Sequence, residues 1–495
     1  MVTPTDSSDT LITLPPPTRV SQSTPNPTTI PMELDLLSPT KSPPPVVPKL
    51  LREASDITWL ESLESKKGQV ELVRRRGRYR LLHQQQFKNS LLAGVGYLEL
   101  ANAGDFAANV WNEIPVPKFA AVLMGIGGTL ALGMVLVVIH DFRLSWINVK
   151  LLRAERDHLK RLRQYHDKNA DMTRLIDSRL GVGVREIGTE VIDRIVMDVL
   201  MGLGSLLVGV GTLMAIGGAN PHVYKASNLL SGYIGNSLAA IFGLFNAIWS
   251  GYLLYRFHVH DAAVFAREPS DDIRRRLHTR VRRFQWHAGV NGLNGLVAGA
   301  ASMVTAERWW GYVVLIPCIV SLVMCNYFWR RKLGYDRPLL GHKSPTEIQV
   351  TPLIEDLHYV ILMQRALADA RHSLPQAIVQ PDSLDSILHF IVRENMLDTY
   401  CESLARDKST RHFLTAFPSL DTSPDQITIS LDALLRLPPS HLDLLLEHAK
   451  KFLRTTGVRV FTHRERYLLE LLGYAVCQDH QRGTTAIQDD TIEHT

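Results

Sequence analysis

Six polar residues stand inside long apolar stretches of the sequence, and their types are those that contact ions or small solutes within a membrane. They are Asp198, Asn236, Asn246, Asn291, Asn294 and Asn326. A polar side chain in such a stretch is costly without a partner, so each is a candidate functional contact. Asp198 follows Arg194 by four residues and can pair with it, while the asparagines can hydrogen-bond between helices. Structural pairing and substrate contact both remain open for these residues.

Histidines at the ends of the apolar stretches form a second candidate set, because imidazole is a common metal ligand. They are His140, His258, His260 and His287, accompanied by Asp141 and Asp261. Membrane di-iron enzymes use repeated HxxxH and HxxHH boxes, whereas the closest pair here is His258 and His260. We therefore expect hydrated histidines at the membrane boundary, and neither a metal ion nor another cofactor.

Catalytic signatures are missing from the sequence as well. It contains no GxSxG elbow, phosphate-binding loop, HExxH motif or dinucleotide fingerprint. Its four cysteines form no CxxC pattern, and two of them, Cys318 and Cys325, fall inside an apolar stretch. We predict no catalytic residues and favour a protein that is not an enzyme.

Small residues recur at every fourth position in two of the apolar stretches. The candidate packing positions are Ala239, Gly243, Ala247, Gly251, Gly295 and Gly299. Such rows let helix backbones approach closely, and this packing holds membrane bundles together where no hydrophobic force acts between helices. The rows predict helix–helix contacts without indicating an activity.

Long stretches with almost no charge must form the helices that position these residues. The stretches are 119–139, 195–216, 230–254, 288–304 and 310–328. A helix of about 20 apolar residues crosses the roughly 30 Å hydrocarbon core of a bilayer, so a purely soluble protein is excluded. A sixth stretch, 91–111, contains Glu99 and Asp105, and hydropathy alone would reject it as a membrane span.

The distribution of lysine and arginine decides between five and six crossings. Residues 66–88, 140–193, 256–286 and 330–343 carry 8, 11, 8 and 5 basic residues, respectively. The intervening segments 112–118, 217–229 and 305–309 carry one each. Because basic loops favour the cytoplasmic side, this alternation requires a crossing before residue 112. We predict six crossings with both termini cytoplasmic, and an interfacial or re-entrant segment at 91–111 is the alternative.

The segment 140–193 is predicted to be a cytoplasmic loop that contains a basic amphipathic helix. The apolar face of that helix would consist of Leu144, Ile147, Leu151, Ala154, His158 and Leu162. Such a helix can lie on an anionic leaflet, pack against the rest of the chain or pair as a coiled coil. The sequence leaves these three arrangements open.

The two ends of the chain differ from its middle. Residues 1–50 hold 12 of the 26 prolines and predict a disordered tail, which a basic juxtamembrane segment, 51–90, follows. Residues 346–482 show apolar positions at helical spacing and capping boxes, which predict a small cytoplasmic helical domain. Residues 483–495 are expected to be a flexible tail. From residue 346 to the end, 21 acidic and 14 basic side chains make this region acidic.

The predicted fold class is therefore all-α. It comprises a polytopic transmembrane bundle, with a first helical hairpin at 91–139 and further spans within 194–329, a helical C-terminal domain and a disordered N-terminal tail. This combination resembles the layout of uncharacterised fungal-type multi-pass integral membrane proteins. The resemblance covers layout alone, so it implies no site residue.

These features favour a membrane-anchored adaptor or organising protein in the plasma membrane or an endomembrane. A transporter or channel for a small solute or lipid is the alternative, and a lipid-acting membrane enzyme is the third hypothesis. The expected partners are membrane lipids, including anionic ones, and proteins that bind the N-terminal tail and the C-terminal domain. A net charge of +5 over 495 residues gives no indication of nucleic-acid binding.

Overall fold

The computed structural model describes residues 69–75, 78–82, 86–111, 115–165, 170–265, 271–339, 353–369, 375, 377–410, 419–420 and 423–493. All of them belong to one compact unit, Asp56–Thr495. The predicted disordered tail, 1–50, lies outside the described residues, as does the predicted juxtamembrane segment up to residue 68. Where it is described, the chain is mostly helical with few strands.

In chain order the α-helices are α1 (Leu98–Asn102), α2 (Phe106–Val110), α3 (Lys118–Tyr165), α4 (Ala170–Glu190), α5 (Met197–Ala215), α6 (Pro221–Ser227), α7 (Asn236–Phe265), α8 (Asp271–Thr305), α9 (Gly311–Phe328), α10 (Leu353–Ala368), α11 (Leu384–Arg393), α12 (Leu397–Arg406), α13 (Leu431–Leu435), α14 (Pro439–Phe452) and α15 (Val458–Glu493). The strands are β1 (Gln69–Arg75), β2 (Arg78–Leu81), β3 (Gln86–Phe87), β4 (Arg337–Pro338), β5 (Ser419–Leu420) and β6 (Ser423–Ser430). π-Helical turns join α4 to α5 at Val191–Val196 and α6 to α7 at Asn228–Gly235. Similar turns extend α9 at Trp329–Leu333 and join α14 to α15 at Leu453–Gly457.

Among the described residues, four continuous helices are long and apolar enough to cross a membrane. They are Lys118–Tyr165, Ala170–Ala215, Pro221–Ala262 and Gly311–Leu333. They contain four of the five stretches predicted as spans, which is consistent with an integral membrane protein. Helix α8 contains the remaining stretch, 288–304, and is not among the four because that stretch is rich in glycine, alanine and asparagine.

The apolar half of α3 has an exposed surface suited to lipid contact. Its exposed apolar side chains include Val122, Ile126, Leu130 and Leu136. The exposed aromatic residues Phe119 and Trp146 flank this surface. At about 1.5 Å per residue they stand about 40 Å apart along the helix. That length is close to the roughly 40–45 Å thickness of a bilayer with its headgroups, and aromatic residues favour both boundaries.

Residues 93–110 form a broken segment of short turns instead of one helix. Its turns are Ala93–Tyr97, α1, Ala103–Asp105 and α2. It runs antiparallel to α3, and three contacts follow this course: Gly94 with Val137, Gly104 with Gly127, and Trp111 with Phe119. Glu99 and Asp105 are both buried, at 4% and 1% exposure. Their costly carboxylates therefore face the interior of the protein and not its apolar surface.

The C-terminal half of α3 packs against α4, so it is part of the protein interior. The predicted apolar face is not the face that packs against α4, because Ile147 and Ala154 are exposed. The buried positions in this half are Asp141, Ser145, Asn148, Val149, Leu152, Glu155, Leu159 and Leu162. Several of these side chains are polar and are held by hydrogen bonds or ion pairs, which a pattern of hydrophobicity does not reveal.

A four-stranded antiparallel sheet joins two distant parts of the chain, with strand order β2-β1-β6-β5. Val70 and Leu72 of β1 and Ile427 and Ile429 of β6 alternate with other residues and point to one face. There they pack with the buried apolar residues of α11, α12 and α14. The sheet was not predicted, since the sequence indicated helices alone in 346–482 and no strand in 51–90. The flexible tail predicted after residue 482 is wrong, because α15 continues to Glu493.

We call residues 86–339 the bundle region, and the described residues of 69–82 and 353–493 the sheet region. Helix α15 packs against α4, α7 and α8 of the bundle region as well as against α10. One buried apolar cluster contains residues of both regions, with Leu277 from the bundle region and Leu357, Leu469 and Leu472 from the sheet region. The boundary between the two regions is therefore a packed interior.

Candidate functional site

Six buried charged side chains form a cluster where the sheet region meets the bundle region. This junction cluster consists of Glu155, Arg185, Glu186, Arg280, Arg337 and Glu470. Its members come from α3, α4, α8, β4 and α15, and none is more than 6% exposed. Three arginines face three glutamates, so the formal charge of the cluster is zero.

Arg337 lies between two of the carboxylates. Its Nη1 and Nη2 donate to Glu155 at 2.8 and 2.6 Å, and its Nε and Nη2 donate to Glu186 at 2.9 and 2.7 Å. Both contacts are bidentate, the arrangement in which a guanidinium binds a carboxylate with the most specific geometry. The short ladder of β4 with β3, in which Phe87 pairs with Arg337, fixes the backbone at this point.

Tyr335 connects the two halves of the junction cluster. Arg185 donates to both carboxylate oxygens of Glu470, at 2.7 and 2.9 Å. The hydroxyl of Tyr335 accepts from Nη2 of Arg185 at 2.7 Å and donates to Glu186 at 2.8 Å. Arg280 completes the arrangement with its Nη2 at 3.4 Å from Glu470. Each carboxylate of the cluster thus has at least one guanidinium partner.

The surroundings of the junction cluster keep Glu470, Arg280 and Arg337 ionised at neutral pH. Burial alone would raise the pKa of Glu470, but Arg185 and Arg280 more than offset burial and hold that pKa below its ordinary 4.5. Burial lowers the pKa of Arg280 to about 10, which leaves the guanidinium protonated. The pKa of Arg337 rises above its ordinary value, because the two adjacent glutamates outweigh burial. Such an arrangement holds elements together and does not release or take up protons near neutral pH.

A second charged group lies nearer to the apolar half of α3. This Arg194 cluster consists of Asp141, Glu190, Arg194 and Asp198. Arg194 pairs with Asp141 at 2.9 Å and with Glu190 at 2.8 Å, and Ser90 and Ser145 provide further hydrogen bonds. Asp198 is 2% exposed, and its carboxylate oxygens find no hydrogen-bond donor among the described residues. Three carboxylates share one guanidinium here, so the Arg194 cluster carries an excess of acid.

A cavity of about 70 Å³ adjoins the Arg194 cluster. The polar part of its wall is formed by Thr189, Asp193, Arg194, His287, Asn291 and Asn326. The Oδ1 atom of Asp193 and the hydroxyl of Thr189 are buried, and neither has a hydrogen-bond partner among the described residues. The cavity therefore offers unpartnered oxygen atoms to a small ligand.

Three of the asparagines singled out in the sequence meet at or beside this cavity. Asn291 donates to the side-chain oxygen of Asn246 at 2.8 Å, and Asn246 donates to the backbone oxygen of Asn291 at 3.0 Å. Asn326 donates to the backbone oxygen of Leu92 at 3.3 Å. Asn294 is also buried but does not line the cavity. Helix pairing thus accounts for the Asn246–Asn291 contact, and two asparagines also face the cavity.

Asn236 belongs to a separate polar group around Asp105. Asp105 accepts hydrogen bonds from the hydroxyl of Tyr312 at 2.8 Å and from the side chain of Asn109 at 3.0 Å. The Nδ2 atom of Asn236 lies 3.5 Å from the same carboxylate. The broken segment therefore holds one of its acidic residues by hydrogen bonds from α2, α7 and α9.

The small residues of α7 and α8 lie in close contact over part of their rows. Those at the contact are Gly243, Ala247, Gly295 and Gly299, while Ala239 is buried but is not among the residues in these contacts. A Cβ on Gly243 would overlap the carbonyl oxygen of Gly295, and a Cβ on Gly299 would stand 2.8 Å from Cα of Ala240. Gly251 is exposed, and a Cβ there would meet nothing within 4 Å. Gly251 therefore lies off the contact face, whereas Ser250 beside it still lies against α8, 2.6 Å from where a Cβ on Gly292 would stand.

The boundary histidines do not converge on one point. His260 packs its ring against Tyr474 at a centroid distance of 4.4 Å, whereas His287 lies beside Trp329 at 5.2 Å. Within the described ranges, no three His, Cys, Asp or Glu side chains are grouped so that they could hold a metal ion.

The junction cluster was not predicted from the sequence, although helix periodicity offered a signal. Glu155 lies on the same helical face as Leu152 and Leu159, which is an unusual place for an unpaired acid. Its partner Arg337 is 182 positions away in the sequence, so no local pattern could supply it. Arg194 was identified as a partner for Asp198, but its closest carboxylates are those of Asp141 and Glu190.

Comparisons with known proteins find no family model, no curated protein and no solved structure that matches this chain.

Proposed function

We propose that this chain is a membrane-anchored adaptor: its bundle region crosses the membrane, and its sheet region is held on the cytoplasmic side for protein partners. The junction cluster is the observation that carries the proposal. It ties α15 to α3, α4, α8 and β4, so both regions share one buried set of ion pairs. Removing one partner of a buried ion pair costs about 3–5 kcal/mol, so the regions resist separation. A partner bound to the sheet region would thus be held at a defined position relative to the membrane.

The proposal includes six crossings with both termini cytoplasmic. The broken segment supports the sixth crossing, because its contacts with α3 extend from Gly94 and Val137 at one end to Trp111 and Phe119 at the other. Irregular backbone is tolerated at membrane depth where other helices surround it. Helix α8 supports another crossing through its close glycine contacts with α7. The basic segments then all fall on one side of the membrane.

A layer of apolar side chains favours anchoring over transport. It comprises Val95, Leu98, Val138, Met197, Met201 and Phe242. On α3, Val138 lies between Asp141 of the Arg194 cluster and Gly127, which contacts the broken segment at Gly104. On α5, Met201 lies between Asp198 and Ser205, which donates to Asn102 of the broken segment. The apolar layer therefore separates the two polar parts of the bundle. A structure closed in this way suits an anchor.

Exposed basic residues on α3 support a second set of partners, the anionic lipids. Arg143, Lys150, Arg153 and Lys160 are exposed, close to Trp146 at the proposed inner boundary. Each basic residue near an anionic leaflet contributes about 1 kcal/mol to membrane attraction. These contacts would orient the sheet region against the inner leaflet.

Proximity labelling in cells tests the adaptor proposal, with the labelling enzyme fused to the C-terminus of the full-length chain. We expect cytoplasmic proteins to be enriched over an unrelated multi-pass protein that carries the same enzyme. The enriched set should shrink in Arg337→Met, even at equal abundance in the membrane fraction, because the sheet region is no longer held in place. Labelling of lumenal proteins, or no enrichment over the unrelated protein, would contradict the proposal.

A transporter of a small solute or lipid is the second candidate, and Asp198 is the observation that favours it. A buried carboxylate without a hydrogen-bond donor within a membrane helix is typical of ion-coupled transport sites. Reconstituted protein would then move a small solute or a lipid across liposomes, and Asp198→Asn would abolish that flux. Equal flux in protein-free liposomes would eliminate this candidate.

A further inference from the structure

The cavity beside the Arg194 cluster carries an inference beyond the adaptor role. We propose that this cavity binds a primary ammonium group, supplied by the headgroup of phosphatidylethanolamine. The inference rests on the cavity itself, and only the choice of a lipid as the source rests on the proposed placement in the membrane.

The unpartnered oxygen atoms in the cavity wall can accept hydrogen bonds from a cation that carries N–H groups. The wall also contains Arg194, whose Nη2 makes no hydrogen bond within the described part of the chain but forms an ion pair with Asp141. Asp193 presents a buried carboxylate oxygen, and Thr189, which is 4% exposed, presents a buried hydroxyl, both without a partner among the described residues. The indole of Trp249 approaches the Asp193 carboxylate without reaching hydrogen-bond geometry. A primary ammonium has three N–H donors, which suit these oxygens. A quaternary ammonium has no N–H donor and could not pair with them.

The charges around the cavity point in the same direction. The carboxylate of Asp193 in its wall and the three carboxylates of the Arg194 cluster face two guanidiniums, those of Arg194 and Arg185. Arg194 is already paired with Asp141 and Glu190, and Arg185 with Glu470. A phosphate would therefore meet an excess of like charge, whereas a cation would reduce it. A metal ion is disfavoured, because the described residues bring no three suitable ligands together.

The size and walls of the cavity fit a small organic cation. Its volume of about 70 Å³ is several times the roughly 10–15 Å³ that a cavity needs to hold one water, so a terminal ammonium with its methylene group has room to enter. The rings of Trp329 and His287 form part of the wall and lie 5.2 Å apart between centroids. An aromatic face attracts a cation, and the gain increases when the cation is desolvated.

The position of the cavity argues for a lipid as the source of the ammonium. Its wall contains residues at the boundaries of three predicted spans: Asp193 before 195–216, His287 before 288–304 and Trp329 after 310–328. These boundaries all fall at the proposed cytoplasmic headgroup level. A headgroup ammonium could thus enter while its acyl chains remain in the bilayer.

The test uses purified full-length protein in nanodiscs that contain phosphatidylethanolamine and phosphatidylcholine with identical acyl chains. Mass spectrometry of the lipids that stay bound after exchange into detergent measures the preference. We expect retained phosphatidylethanolamine to exceed phosphatidylcholine by about tenfold, as one charge-assisted hydrogen bond predicts. Asp193→Asn should remove the preference, whereas Asp157→Asn, which changes an exposed carboxylate on α3, should retain it.

Free amines separate the two sources of the ammonium. If ethanolamine displaces the retained lipid, the cavity also accepts a free amine; if it does not, the headgroup is required, and both results support the ammonium site. Choline should displace nothing in either case. Thr189→Val, which removes one unpartnered hydroxyl, supplies a milder variant if Asp193→Asn fails to fold, and it should weaken the preference. Equal retention of the two lipids by the wild type, or an unchanged preference in both cavity variants, would overturn the proposal without touching the adaptor role.

Discussion

The junction cluster and the Arg194 cluster contain similar side chains but differ in balance. In the junction cluster three guanidiniums meet three carboxylates, and Arg337 alone makes four hydrogen bonds to carboxylates. In the Arg194 cluster one guanidinium serves three carboxylates, and Asp198 finds no donor among the described residues. A buried charge set without a deficit is suited to holding elements together. A buried cluster with more carboxylates than guanidiniums can still bind a cation.

The largest expected effect is that of Arg337→Met. The substitution leaves Glu155 and Glu186 buried without their bidentate partner, which should lower the free energy of unfolding by about 3–5 kcal/mol. Thermal unfolding of the detergent-purified protein measures the change. The control is Lys450→Met, which breaks the pair with the 92% exposed Asp382 and should cost about 1 kcal/mol or less. Equal losses of unfolding free energy in the two variants would show that the junction cluster stabilises the protein no more than an exposed ion pair does.

Gly243→Ala should have the next largest effect. The added methyl group would overlap the backbone of Gly295, so α7 and α8 must move apart at a cost of about 1–3 kcal/mol. Gly251→Ala is the matched control in the same helix, since a Cβ there meets nothing within 4 Å. Unfolding in parallel samples should show a loss for the first variant only. If both variants behave alike, close helix packing does not hold the bundle.

A smaller effect is expected in the pH dependence of stability, and it tests whether the carboxylate of Glu470 in the junction cluster is ionised. The folded protein holds the pKa of Glu470 below 4.5 through Arg185 and Arg280, despite burial. A lowered pKa in the folded state contributes stability above the unfolded value and loses it as the pH falls. The difference in melting temperature between the wild type and Glu470→Gln should therefore narrow as the pH falls below 4.5. A constant difference over this range would exclude an ionised Glu470.

Asp198→Asn is expected to have the smallest effect. The carboxylate of Asp198 has no hydrogen-bond donor to lose, so we expect a change in unfolding free energy of less than about 1 kcal/mol, with a gain in stability allowed. Asp141→Asn, which removes a partner of Arg194, is the control and should destabilise the protein. A large loss in Asp198→Asn would mean that this carboxylate is a structural partner of Arg194.

The apolar stretches and their boundaries could be predicted, because membrane helices reveal themselves through local composition. Stretch 119–139 became part of α3, and Gly243 of the predicted row lies at a helix contact. The sheet could not be predicted in this way, since β1 and β6 are separated by some 350 positions of sequence and pair only after folding. The role of Arg337 could not be predicted for the same reason, because its partners Glu155 and Glu186 are distant in the sequence. Hydropathy argued against a span at 91–111 because it treats Glu99 and Asp105 as if their carboxylates faced lipid. Both carboxylates are instead buried inside the protein.

The most direct test of the account measures whether the two regions are held together by the junction cluster. Spin labels at Lys450→Cys in α14 and Arg143→Cys in α3 report the distance between the regions by double electron–electron resonance, since the four native cysteines are buried. We predict a single narrow distance distribution in the wild-type background and a broad one when Arg337→Met is added. A broad distribution in the wild-type background, or an equally narrow one after Arg337→Met, would contradict the claim that this cluster fixes the sheet region to the bundle.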